Sequence, residues 1–334
     1  QARAARMIFV GERISPPARA VAMLVHRLSF VSFVCAATEV HARFQSAGSG
    51  YDQTEAQMFA SLSSVTYCED VNPVLDWSCP ACKDSKTPLV PGKIRIVDAG
   101  YCNATRVLLG KLRDQPGCLV AFRGSDNVIN WVRDFQVWAI APKTFQECDG
   151  CKVHGGFYDI WKNIKDEVVS ALREIGCSES TKELGDNVLY VTGHSLGAAL
   201  THLAMFTLQN AGYNIAKSYS FEAPRVGNKA FSEAFSNRFT RKFPVYRLTH
   251  AKDPVVHLPP EGLGYLHVQT EVFYNSKGAF KVCNQVEDKS CADQYWDIPA
   301  MVLLHARDHC HSPLVPNGDI CNPLGCSERR QIVV

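Results

Sequence analysis

Apolar residues recur along this 334-residue chain in two rhythms that take turns. Phe157, Ile160, Trp161, Ile164, Val168, Leu172 and Ile175 fall at helical spacing and predict a strongly amphipathic helix. Residues 51–65 predict the first helix of the mature domain and 228–239 a later one. Short apolar runs predict strands. Residues 93–97 alternate polar and apolar, whereas 117–122 (Gly-Cys-Leu-Val-Ala-Phe) are continuous, as in a strand buried on both faces. Further strands are expected at 187–192, 218–221, 245–248 and 271–274. Helical stretches separate these strands. The pattern therefore predicts an α/β fold: a mostly parallel sheet covered on both faces, in a single domain.

One junction between the rhythms carries chemistry. Gly193-His194-Ser195-Leu196-Gly197 lies between the strand at 187–192 and a helix-like run at 198–210. Strand, G-x-S-x-G and helix in that order make a nucleophile elbow, with Ser195 as the nucleophile. A serine hydroxyl needs a base, and the base needs a carboxylate to orient it. Asp253 suits the acid, since it follows the strand at 245–248 and precedes Pro254. The base is sought among His305, His309 and His311, which lie close together; His257 and His267 are outside candidates. His305 and His309 at i, i+4 could form a metal face on a helix, but no H-E-x-x-H accompanies them. For the oxyanion, the N–H of Leu196 is one donor, and Gly124-Ser125 after the 117–122 strand offers a second. His154-Gly155-Gly156 is a rival that reads better as a helix entry. Just past Ser125, Val128, Ile129, Trp131, Val132 and Phe135 stand at helical spacing, with Asn130, Arg133 and Asp134 on the other side.

A net charge of +2 leaves no basic surface for a polyanion, so nucleic acid is not an expected partner. Fourteen cysteines are many for a reducing compartment. The amino-terminal stretch supplies an oxidising one. Residues 23–42 read as a secretory signal peptide: His26 and Arg27, an apolar run at 28–37, then Val40-His41-Ala42. The run is too short to span a bilayer. Residues 1–22 are expected to be leader or a misassigned start, and 43–334 to be the domain. Secretion makes the cysteines a disulfide framework, even though Cys79/Cys82 and Cys148/Cys151 each form a C-x-x-C. Asn103-Ala104-Thr105 is a glycosylation sequon.

Six motifs then fall in register. They are Phe122-Arg123-Gly124-Ser125 with Asn130-Trp131; Cys148-Asp149-Gly150-Cys151 leading to His154-Gly155-Gly156-Phe157; the elbow at 193–197; Ala223-Pro224-Arg225-Val226-Gly227-Asn228; Tyr246-Arg247-Leu248-Thr249-His250 with Asp253-Pro254-Val255 and Leu258-Pro259-Pro260; and Gly264-Tyr265-Leu266-His267. Over about residues 51–300 they resemble a fungal-type class 3 lipase, a secreted α/β hydrolase acting on triacylglycerols. The resemblance implies an α/β-hydrolase fold with a lid helix at 127–135, and a lipid ester taken at an oil–water or membrane interface. It implies Ser195 and Asp253 as catalytic residues and Ser125 as the second oxyanion donor. It needs no cofactor or metal. Asp308-His309 matches the start of the family's D-H-x-x-Y, with Ser312 in place of Tyr, so His309 is the preferred base over His305 and His311. The pairings implied are Cys79–Cys82, Cys148–Cys151 and Cys283–Cys291, with Cys68 reaching a tail cysteine such as Cys321. The tail 312–334 matches nothing in the family. A phospholipase A1 or feruloyl-type esterase on the same scaffold is the enzymatic rival. An inactive lipid-binding pseudo-lipase is the other.

Overall fold

The computed structural model describes residues 50–85, 88–99, 105–125, 138–179, 187–240, 243–295, 305–324 and 326. The leader, the signal segment, Asn103 and the lid positions Val128, Ile129, Trp131, Val132 and Phe135 lie outside them. In chain order the strands are β1 Leu89–Ala99, β2 Thr105–Leu112, β3 Cys118–Phe122, β4 Ala139–Ile140, β5 Val153–His154, β6 Val188–His194 and β7 Asn214–Ile215. They continue as β8 Ser218–Phe221, β9 Gly227–Asn228, β10 Val245–His250, β11 Tyr265–Leu266, β12 Glu271–Tyr274 and β13 Phe280–Val282.

The main sheet runs β1-β2-β3-β6-β8-β10-β12-β13, with β7 beside the start of β6. From β3 to β12 the neighbours are parallel, and the outer pairs are antiparallel. Register aligns the carboxyl ends: Phe122 opposite Gly193, His194 opposite Phe221, Phe221 opposite Leu248. Residues just past these strand ends therefore meet along one edge, where ligands bind in open α/β sheets.

Helices cover both faces. Phe157, Trp161, Ile164, Val168 and Leu172 of the helix Gly155–Glu174 are buried in one cluster with Val107, Val120, Phe122 and Val191. The helix Leu196–Asn210 is buried nearly all round, as a central helix of high apolar content must be. On the other face, Phe59 of the helix Gln53–Val65 packs with Tyr219, Tyr246 and Leu248, and Leu62 and Val65 with Leu108, Leu119 and Ala121. That helix starts at Asp52, whose Oδ1 accepts the N–H of Thr54 at 2.8 Å.

Some elements differ from the pattern. The expected helix at 228–239 begins at Lys229 and is regular only to Phe235, then widens to a π turn over Ser236–Thr240. Asn228 stays outside it because its side chain caps the helix, accepting the N–H of Phe231 at 3.1 Å. His154 closes a strand, β5, which with β4, β9 and β11 makes a small second sheet too short to show in the sequence. The pattern does not single out β2, whose Val107 and Leu108 bury toward opposite faces and leave no clean alternation.

The structure bridges Cys79–Cys82, Cys148–Cys151 and Cys283–Cys291. Cys68 is joined to Cys326 and not to Cys321, which is taken by Cys310 eleven residues away. Cys118–Cys177 ties the start of β3 to the end of the helix Gly155–Glu174. The tail up to Cys326 is thus pinned twice, and Leu314, Val315 and Ile320 bury against the cluster around Phe59. No helix among the described residues is long and apolar enough to cross a membrane.

Candidate active site

Ser195 stands between β6 and the helix Leu196–Asn210 with φ 58° and ψ −128°. The flanking glycines are required by space. A Cβ on Gly193 would come within 2.5 Å of the Gly197 carbonyl oxygen, and one on Gly197 would run into the Phe122 carbonyl. The turn is held by the Ser195 N–H, which donates to the Phe221 carbonyl at 2.9 Å. Ser195 is fully buried, and its Oγ has no hydrogen-bond partner. Leu196 opens the helix, so its N–H is among the first-turn amides that have no acceptor within the helix.

Asp253 lies in the turn after β10, buried. Its Oδ1 accepts the N–H of Val255 at 2.8 Å, which fixes the carboxylate. Its Oδ2 is 2.8 Å from His309 Nδ1, with both side chains fully buried. Since a carboxylate accepts, Nδ1 carries the proton, and Nε2 presents its lone pair. That Nε2 is buried and has no partner.

His309 ends the short turn Ala306–His309, which is fastened to the carboxyl end of β10. His250 Nδ1–H donates to the Asp308 carbonyl at 3.1 Å, and the Lys252 N–H donates to Asp308 Oδ2 at 3.2 Å. These bonds bring the ring of His309 to Asp253. His305 faces Asp308 instead, at 3.4 Å, and the ring of His311 packs on His250 at 5.0 Å between centroids. His257 and His267 are buried too. Burial, with Arg225 adding, holds His257 down to about 4, and the Nε2–H of His267 donates to the Val256 carbonyl at 2.7 Å.

Gly124 and Ser125 follow β3, and Gly124 packs against the elbow: a Cβ there would come within 2.8 Å of Ser195 Cβ. The loop that follows Asp253 is clamped by Arg225, whose Nη1 donates to the His257 and Pro259 carbonyls at 2.7 and 3.2 Å. Its Nη2 pairs with Glu287 at 2.9 Å.

Two buried groups escape the sequence reading. His194 makes hydrogen bonds through both ring nitrogens, and Glu222 follows β8 with its Oε2 unpartnered, 3.8 Å from His194 Nε2. Burial, then the charge of Asp253, pushes the Glu222 carboxyl well above its ordinary range. Its place within the elbow, directly before Ser195, is the signal that could have flagged His194; nothing comparable marks Glu222.

Residues 119–263 match the family described as Lipase (class 3). A secreted mono- and diacylglycerol lipase A of Penicillium cyclopium is 38% identical over 158 residues, 47% of this chain and 48% of its own. A lipase of Rhizomucor miehei is 28% identical over 254 residues, 74% of this chain and 66% of its own. The chain thus spans about half the length of the Penicillium relative, 48%. Among solved structures, Rhizomucor miehei triacylglyceride lipase is similar with a TM-score of 0.62 at 25% identity, covering 82% of this chain and 96% of that one. A triacylglycerol lipase whose catalytic centre is formed by a serine protease triad is similar with a TM-score of 0.63 at 26% identity and the same coverage, 82% and 96%. The architecture is the α/β-hydrolase fold of the fungal lipases.

Proposed function

We propose that this chain, similar to the class 3 lipases through residues 119–263, is a secreted serine hydrolase that cleaves carboxylic esters of lipids, acylglycerols first. The observation that carries this reading is a pair of buried, unpartnered atoms, Ser195 Oγ and His309 Nε2, with the other nitrogen of the same ring engaged by Asp253. Ser195 Oγ attacks the ester carbonyl while its proton passes to His309 Nε2. Asp253 stays ionised and stabilises the imidazolium. The carbonyl oxygen becomes an oxyanion, for which the N–H of Leu196 and the N–H and hydroxyl of Ser125 are the donors. The alcohol leaves with the proton from His309, and an acyl ester remains on Ser195. His309 then deprotonates a water whose oxygen attacks the acyl carbon; the bond from Ser195 Oγ to the acyl group breaks, His309 returns the proton to Oγ, and the carboxylic acid leaves.

Relatives named as secreted lipases of mono- and diacylglycerols support the substrate class and the extracellular setting. Residues 127–135 are read as a lid whose apolar side rolls onto an oil surface. Trp138, just beyond in sequence, is 44% exposed and packs on His154.

Ser195→Ala is expected to lower kcat by on the order of 10³-fold or more, and a fluorophosphonate is expected to label Ser195. An inert Ser195 in the native protein would point to a pseudo-lipase. Activity on an acylglycerol should jump as the substrate passes its solubility. Full activity on soluble feruloyl esters with no jump would favour the esterase, and a preference for phosphatidylcholine the phospholipase A1.

A further inference from the structure

His194 directly precedes the nucleophile and is fully buried. Its Nε2 lies 2.9 Å from the carbonyl oxygen of His309. A carbonyl can only accept, so Nε2 carries the proton and Nδ1 must accept. The group at Nδ1 is the hydroxyl of Tyr67, at 2.6 Å, which therefore donates. The Tyr67 oxygen in turn accepts the N–H of Gly124 at 3.1 Å. The chain then runs from Gly124 N–H to Tyr67, from Tyr67 O–H to His194, and from His194 Nε2–H to the His309 carbonyl. Burial, then the neighbouring His309, lowers the proton affinity of His194 well below the usual histidine range, which keeps Nδ1 free to accept. Glu222 Oε2, at 3.8 Å from Nε2, is too far to compete for that proton.

The two ends of this chain sit on the two halves of the site. Gly124 is bonded to Ser125 on the oxyanion side, and His309 is the base. Tyr67 follows the helix Gln53–Val65, and its neighbour Cys68 is disulfide-bonded to Cys326. We propose that Tyr67 and His194 are positioning residues that hold the oxyanion loop and the base in register across the nucleophile. This rests on the serine-hydrolase reading, with neither residue touching substrate. A displacement of about 1 Å in such a group lowers the rate by up to 10²-fold without loss of binding.

Tyr67→Phe removes the hydroxyl and keeps the ring, which packs edge-on to His194 at 5.7 Å between centroids. His194→Gln keeps a donor able to reach the His309 carbonyl but no imidazole acceptor for Tyr67. On a soluble ester, Tyr67→Phe is expected to lower kcat roughly ten- to a hundredfold, with KM held within about twofold. Inactivation by a fluorophosphonate should slow by the same factor, because phosphonylation uses the same base and oxyanion donors. The double variant should be no more than about twofold slower than the slower single variant, since both break one chain. A wild-type kcat in Tyr67→Phe, a loss confined to KM, or losses that multiply would overturn the proposal. If His194→Gln fails to fold, the kcat–KM split and phosphonate rate of Tyr67→Phe decide alone. Ser195→Ala runs alongside. If it stays active, the hydrolase reading fails and the relay with it; if it is dead while Tyr67→Phe is unimpaired, only the relay fails.

Discussion

Glu222 turns directly out of β8 with a left-handed backbone, φ 50°, a conformation that a side chain adopts at some cost. Its carboxyl is 2% exposed as a residue and is raised by burial and by Asp253. The folded state thus keeps a proton that the unfolded chain releases near 4.5. The unfolded state binds fewer protons above that pH, so stability falls as pH rises toward the folded value, by about 1.4 kcal/mol per pH unit at most. Glu222→Gln removes this dependence. Its Tm relative to wild type is expected to climb between pH 5 and pH 8, and parallel melting curves would sink the assignment. Ser195 and Asp253 were visible as residues because an elbow and a post-strand acid are local patterns. Glu222 was not, because its burial comes from strands and loops far away in sequence.

At the level of elements, the elbow is written in contiguous residues, and its glycines are explained by the carbonyls they touch. The histidine partner of Asp253 is not a local matter. Spacing alone leaves three histidines within seven residues equivalent; the resemblance prefers His309, and the fastening of Asp308 to His250 and Lys252 turns that ring toward Asp253. The tail has the same character. The expectation of Cys321 for Cys68 failed because several tail cysteines lie within reach in sequence, while the fold puts Cys326 at 4.4 Å Cα–Cα. That bridge closes 258 residues of sequence separation and anchors the chain beside Tyr67. Replacing both Cys68 and Cys326 with Ser is expected to cost about 2–5 kcal/mol, a fall of roughly 5–15 °C in Tm under oxidising conditions. An unchanged Tm would mean that the tail contributes nothing to holding the fold.

For the whole molecule, buried neutral histidines govern the acid side. His194, His202, His257 and His267 all have their proton affinity lowered, chiefly by burial, His202 to about 3 and His257 to about 4. Unfolding lets each take up a proton below its ordinary value of 6.5. The unfolded state then binds more protons, so the stability they confer is full above about 6.5 and is lost as pH falls below it. Tm is expected to drop from pH 7 to pH 5, and a flat Tm across that interval would rule the linkage out. With Glu222 acting in the opposite sense above 4.5, the optimum lies near neutrality. The sequence by itself determined the α/β layering, the order of the central strands and helices along the chain, and the two candidate site residues Ser195 and Asp253. Hydrophobic period and sharp-turn chemistry are properties of neighbouring residues, so they survive reading in one dimension. Only the tertiary structure decided which histidine meets Asp253, which cysteine meets Cys68, and that Tyr67 and His194 join the two halves of the site. Those facts depend on strand register and on burial, which bring together residues as much as 258 positions apart.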